Sequence, residues 1–141
     1  MIQLLWADDD GDEVLEPLGR RLIRKGDFSL IKVVSYSEAI ERLAESRVPH
    51  IPALLVDTIL PHGLDSGALR MDLGILLADK AAEQGVKSVA FLSVVRLDEV
   101  LDKFTDLQDR HPRVKWSYFD KITLFDPGMI DSLVKALLQG S

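Results

Sequence analysis

The sequence predicts a doubly wound α/β fold: five parallel strands in one sheet, with helices on both faces. Three observations lead there. Short apolar runs occur five times and alternate strictly with segments of helical periodicity, the pattern of repeated βα units. The middle run, Ala53-Leu54-Leu55-Val56, is apolar at every position, as a strand covered on both faces must be. That run then ends on an acid, Asp57, and a turn proline, Pro61, follows shortly. An ionised carboxylate inside such a strand would carry a large desolvation cost, so Asp57 belongs at the strand's C-terminal end, where the chain surfaces. In open α/β sheets that edge is where ligands bind.

The elements follow in order. Ile2–Ala7 (IQLLWA) is a first strand, cut off by Asp8-Asp9-Asp10. Residues 13–25 read as helix, with Val14, Leu15, Leu18, Leu22 and Ile23 at three-to-four spacing and Gly26 as the stop. Pro17 is awkward there and points to an irregular or later start. Residues 28–34 are the second strand, and Ser37 caps a helix whose apolar side is Ala39, Ile40, Leu43 and Ala44. Pro49 and Pro52 bracket the entry into the central strand. After Pro61, HGLDSG is a loop, and 68–84 is a helix with Leu69, Leu73, Leu76 and Leu77 on one face, ended by Gly85.

Residues 86–94 form the fourth strand, ending near Ser93. Leu97, Val100, Leu101, Phe104 and Leu107 mark a fourth helix, closed by His111-Pro112. Residues 114–119 are the fifth strand, followed at once by Asp120 and Lys121. Asp126-Pro127 is an N-cap with a first-turn proline, and Ile130, Leu133, Val134, Leu137 and Leu138 line the last helix. Right-handed crossovers and five units favour the strand order 2-1-3-4-5. No stretch is left over for a second domain, so residues 1–141 are expected to form a single domain with no output domain.

Composition narrows the function. With 47% hydrophobic and 28% charged residues the chain is globular, and a net charge of -6 argues against direct nucleic-acid or anionic-membrane binding. Cys is absent, which excludes disulfides and thiolate chemistry and suits a reducing cytoplasm. The first apolar run is far too short for a signal peptide or a membrane span.

The polar residues at strand ends are the chemical signal. A parallel sheet places Asp8 and Asp9, Asp57, Ser93 and Lys121 along one edge. Three converging carboxylates repel, so one protonates or a cation neutralises them. Oxygen donors without His or Cys favour a hard ion, Mg²⁺ before the softer metals. A hydroxyl and an ammonium beside a metal-bound carboxylate make a phosphoryl-binding site. Taken singly, each residue has an ordinary reading: helix-capping acids in water, a turn aspartate, a backbone-satisfied serine, a solvated lysine. Their order and spacing together are what coincidence explains poorly. His50, His62 and His111 lie in separate loops without metal spacing.

Through LLWADD, LLVDTILP, FLS and YFDK the chain resembles, from end to end, the receiver domain of two-component response regulators, a flavodoxin-like fold. The resemblance implies that Asp8, Asp9, Asp57 and the backbone carbonyl of Ile59 hold Mg²⁺. It implies that Asp57 takes a phosphoryl group from a sensor histidine kinase or phosphotransfer protein, with Ser93 and Lys121 engaging the phosphoryl oxygens. Tyr118 matches the family's switch aromatic, working with Ser93. Output would pass to a downstream effector protein, or to a homodimer, through the face of the fourth helix, fifth strand and fifth helix. Such a protein is a switch that catalyses its own phosphoryl transfer and dephosphorylation, not an enzyme with a separate substrate.

The chain departs from the pattern at Ile122, where the family commonly has proline, at Val94, bulkier than usual, and in the longer segments 61–84 and 93–121. By the same resemblance Ile59 and Val95 flank the approach of water to the phosphoryl group. Both are apolar and unable to orient a water, so slow hydrolysis is expected. Two other functions fit less well. One is a pseudo-receiver, an interaction module of the same fold that is never phosphorylated. The other is a phosphohydrolase with an aspartyl nucleophile, for which the acid pair stands on the wrong strand and Ile59 occupies the place of a second acid.

Overall fold

The computed structural model describes residues 2–9, 12–45, 51–63, 69–70, 73–123 and 126–138. Asp10, Pro49, His50 and most of the loop after Pro61 lie outside them, as do the side chains of Val14 and Leu69. The elements are β1 (Ile2–Ala7), α1 (Asp12–Gly26), β2 (Phe28–Val33), α2 (Tyr36–Glu45), β3 (Ala53–Val56), β4 (Leu60–Pro61) and β5 (Leu69–Arg70). They continue with α3 (Leu73–Glu83), β6 (Ser88–Ser93), α4 (Leu97–Arg110), β7 (Lys115–Asp120), a 3₁₀ turn at Lys121–Thr123, and α5 (Pro127–Leu138).

Five strands make one parallel sheet in the order β2-β1-β3-β6-β7, which is the expected 2-1-3-4-5 once the short strands β4 and β5 are set aside. The alternation of side chains along β3 divides the core in two. Leu54 and Val56 pack with residues of α2, α3 and α4, while Ala53 and Leu55 pack with residues of α1 and α5. All four β3 residues are inaccessible to solvent, and each buried leucine is worth roughly 2 kcal/mol in removal of apolar surface.

The structure corrects several boundaries. Segment 68–84 is not one helix. Leu69–Arg70 pairs antiparallel with Leu60–Pro61 as a small ribbon, and α3 begins at Leu73. Leu73 and Leu77 are buried as expected, but Leu76 is exposed. The α1 helix starts earlier than Pro17 suggested and runs through it, giving up the one hydrogen bond that the proline nitrogen cannot donate. The cap of α2 is Ser35, whose Oγ accepts from Glu38 N–H at 3.2 Å. Ser35 and Glu38 have the spacing of a capping box. Ser37 instead holds the chain just after β4: its N–H and its hydroxyl both donate to the His62 carbonyl, at 2.9 and 2.7 Å. At α5 the expectation stands, with Asp126 Oδ1 accepting from Gly128 N–H.

Among the described residues no helix is long and apolar enough to cross a membrane.

Candidate functional site

Register builds the site. Ala7 pairs with Val56 across β1 and β3, so Asp8 and Asp57 leave their strands side by side. Asp57 N–H donates to the Ala7 carbonyl and Asp8 N–H to the Val33 carbonyl, both at 3.0 Å, which fixes the backbone of both acids. Ser93 is the last residue of β6 and pairs with Asp120, which brings Lys121, one residue further on, to the same edge.

The side chains converge there. Asp8, Asp9 and Asp57 each offer a carboxylate oxygen, all within 4.8 Å of one another. Asp8 and Asp57 are buried, while Asp9 is exposed. The Lys121 ammonium, also buried, stands 2.6 Å from Asp57 Oδ2 and 2.8 and 3.1 Å from the two oxygens of Asp8. Among the described residues three carboxylates face one ammonium here, two of the carboxylates buried and the third at the surface. Oxygen donors in such a cluster suit a hard divalent cation, which Asp8, Asp9 and Asp57 could hold. Asp57 Oδ1 accepts from Ile59 N–H at 3.1 Å, which orients the carboxylate and places the Ile59 backbone against the cluster.

The departure at Ile122 is resolved locally. Asp120 Oδ1 accepts from Ile122 N–H at 2.9 Å, and the Thr123 hydroxyl donates to the Asp120 carbonyl at 2.8 Å. These bonds shape the turn that a proline would otherwise stiffen, and Ile122 projects into solvent at 80% exposure.

Ser93 is fully buried, its Oγ 2.7 Å from Thr58 Oγ1, and it accepts from Val95 N–H at 3.1 Å. Tyr118 donates its hydroxyl to the Val95 carbonyl at 2.6 Å, stacks on Phe91 and meets Phe104 edge-on. Burial raises the Tyr118 pKa, against the opposing pull of the Ser93 and Thr58 hydroxyls. Its ring is thus already turned inward. Val95 is buried and lines the cleft between α4 and β7, on the Tyr118 side, whereas Val94 is exposed. Of the two side chains expected to flank a water, Ile59 is the half-buried one beside Asp57.

Two residues of the site escaped the sequence reading. Thr58 is one: a hydroxyl inside an otherwise apolar stretch was its only signal. Gly74 is the other. A Cβ there would stand 1.9 Å from the Asp57 carbonyl oxygen, and Gly74 N–H donates to the Thr58 carbonyl at 3.2 Å. A glycine interrupting a helical pattern was the available clue. His111 lies away from this edge, bound to Asp79, and His62 is exposed beside Tyr36.

No protein-family model matches the chain, and no curated protein matches it in sequence. Solved structures do match it in fold. The phosphorylated cyanobacterial phytochrome response regulator RcpA superposes with a TM-score of 0.69 at 12% identity, covering 100% of this chain and 97% of RcpA. The Mn²⁺-bound response regulator Rcp1 gives 0.69 at 17% identity, with 100% and 97% covered. The response regulator RcsB of Salmonella typhimurium gives 0.65 at 17% identity over 95% of this chain, which spans only 60% of the RcsB chain. The fold is that of response regulator receiver domains, as the strand-end residues implied.

Proposed function

We propose that the chain is a phosphoacceptor receiver, a single domain that takes a phosphoryl group onto Asp57 and signals through a protein partner. The observation that carries this reading is the buried Asp57 carboxylate, held by Lys121 and Ile59 N–H beside a second buried acid and an exposed third. In the transfer, an Asp57 oxygen attacks phosphorus as the bond to the donor's leaving group breaks, and the resulting acyl phosphate keeps the transferred charge. Mg²⁺, held by Asp8, Asp9, Asp57 and the Ile59 carbonyl, would neutralise charge on the phosphoryl oxygens. Lys121 is already at hydrogen-bond distance from the accepting carboxylate and is placed to follow the oxygen onto the phosphoryl group. Ser93 supplies a hydroxyl to another oxygen.

A histidine kinase or phosphotransfer protein is the donor, and the setting is the cytoplasm. Tyr118 already sits inward, so what a phosphoryl group changes first is Ser93. Val95, bound to both Ser93 and Tyr118, passes that change to the α4–β7 face, where an effector or a second copy of the chain would dock. The test is incubation with acetyl phosphate and Mg²⁺ followed by intact mass measurement. The wild type should gain one phosphoryl group, and Asp57→Asn should gain none. An unmodified wild type would leave the pseudo-receiver reading in its place.

A further inference from the structure

The structure carries a hydroxyl that the chemistry above leaves unused. Thr58 follows Asp57 directly, is wholly buried, and holds its Oγ1 2.7 Å from Ser93 Oγ. A buried hydroxyl must place one proton and can accept through two lone pairs. Ser93 Oγ already accepts from Val95 N–H at 3.1 Å. The Thr58–Ser93 contact can run in either direction, and the two directions have opposite consequences. If Ser93 donates, its only proton is spent on Thr58 and must be withdrawn before a phosphoryl oxygen can receive it. If Thr58 donates, both lone pairs of Ser93 Oγ are filled from the protein side, and the serine proton is left over for an incoming oxygen.

The surroundings favour the second direction. With Thr58 donating to Ser93, its proton is satisfied without drawing on the Tyr118 hydroxyl, which lies beside both residues and already donates to the Val95 carbonyl. The backbone around Thr58 is committed as well, since the Thr58 carbonyl accepts from Gly74 N–H at 3.2 Å. Nor can Thr58 drift: Gly74 admits α3 so close that even a Cβ would stand 2.7 Å from the Thr58 Cα. A buried hydroxyl proton needs an acceptor, and donation to Ser93 Oγ at 2.7 Å supplies one for Thr58.

We infer that Thr58 is a positioning residue for phosphoryl binding: it donates to Ser93 Oγ and, together with Val95 N–H, aims the serine proton at an oxygen carried on Asp57. This inference rests on the phosphoacceptor reading and adds to it a residue that never touches the phosphoryl group. The serine proton is then not committed to another acceptor in the resting protein, so binding does not first have to withdraw it.

Beryllofluoride, which mimics a phosphoryl group on an aspartate, provides the test, with affinity measured in saturating Mg²⁺ and Mg²⁺ affinity measured separately. Loss of an orienting partner behind a ligand typically costs about tenfold or more, so Thr58→Val, which keeps the shape and removes the hydroxyl, should weaken beryllofluoride binding about tenfold, and Thr58→Ser should stay within about twofold. Mg²⁺ affinity should be unchanged in both, because a merely structural loss around Asp57 would disturb the metal too. In a Ser93→Ala background, Thr58→Val should have no further effect, since its hydroxyl then has nothing to orient. Equal or tighter beryllofluoride binding by Thr58→Val would overturn the inference and show the bond to be a latch or idle. So would an undiminished effect in the Ser93→Ala background, or a parallel loss of Mg²⁺ affinity. A wild type that binds no beryllofluoride would instead overturn the phosphoacceptor reading, and the role of Thr58 with it.

Discussion

Two clusters of carboxylate and cation lie on the α/β frame, and their arithmetic differs. At the sheet edge, Asp8, Asp9 and Asp57 face the Lys121 ammonium. On the flank, Asp79 of α3 faces two donors at the end of α4: Arg110 Nη1 at 2.9 Å and His111 Nε2 at 2.6 Å. Burial pushes the Asp79 carboxyl up, but the hydrogen bonds from His111 and Arg110 pull harder and hold it below the usual carboxylate range. Trp116 Nε1 donates to the His111 carbonyl at 3.1 Å, so the flank cluster also ties in β7. On the flank each carboxylate meets a donor, Asp79 both Arg110 and His111 and Asp106 the Arg110 Nε at 2.9 Å, and the cluster serves as a clamp between helices. At the edge, three carboxylates face one ammonium among the described residues, an arrangement that a cation from outside can complete. A polar cluster is therefore a candidate for chemistry when the protein's own charges fail to balance it, not merely because it is buried.

Removing the cation should separate the two most sharply. Lys121→Met leaves Asp8 and Asp57 buried without their ammonium, a change expected to cost about 3–5 kcal/mol. Urea unfolding in a chelator should show that loss. Millimolar Mg²⁺ should restore much of it, because the metal binds the folded site and no longer competes with the lysine. A loss that Mg²⁺ does not touch would mean the edge cluster is a clamp like the other.

Gly74→Ala comes next. Its Cβ would meet the Asp57 carbonyl at 1.9 Å, so α3 must move away from the backbone that carries Asp57. Overpacking against backbone should cost about 3 kcal/mol in chemical unfolding and weaken the stabilisation by Mg²⁺. An alanine accommodated at no cost would show that α3 does not fix Asp57.

The smallest effect belongs to the flank. Asp79→Asn should cost about 1 kcal/mol at neutral pH. A carboxyl with a lowered folded-state pKa contributes stability above its unfolded value, near 3.9, and loses it as pH falls through the folded value. The difference between wild type and Asp79→Asn should therefore hold at neutral pH and fade in acid below about pH 4. Mg²⁺ should leave it unaltered.

Much of this was legible in the residues. Apolar runs ending at Asp8, Asp57, Ser93 and Asp120-Lys121 mark the strand ends and the composition of the edge, because a buried apolar strand with a charged terminus leaves little choice of orientation, while the strand order follows from five right-handed βα units. What stayed hidden was set by partners distant in sequence. Whether Ser35 or Ser37 caps α2 depended on the His62 carbonyl, which lies just after β4 and recruits Ser37. Leu69 belongs to a helical pattern by spacing, yet Leu69–Arg70 pairs with Leu60–Pro61 instead. The Asp79 clamp joins residues 31 and 32 positions apart in the chain, and no local motif announces it.

The central claim is that Asp57, not one of its acidic neighbours, receives the phosphoryl group. Borohydride reduces an acyl phosphate to an alcohol, so a protein treated with acetyl phosphate and Mg²⁺, then reduced and digested, reports the modified residue by peptide mass. Conversion of Asp57 to homoserine, with Asp8 and Asp9 intact, is the expected result. Conversion at Asp8 or Asp9, or at no aspartate, would contradict it.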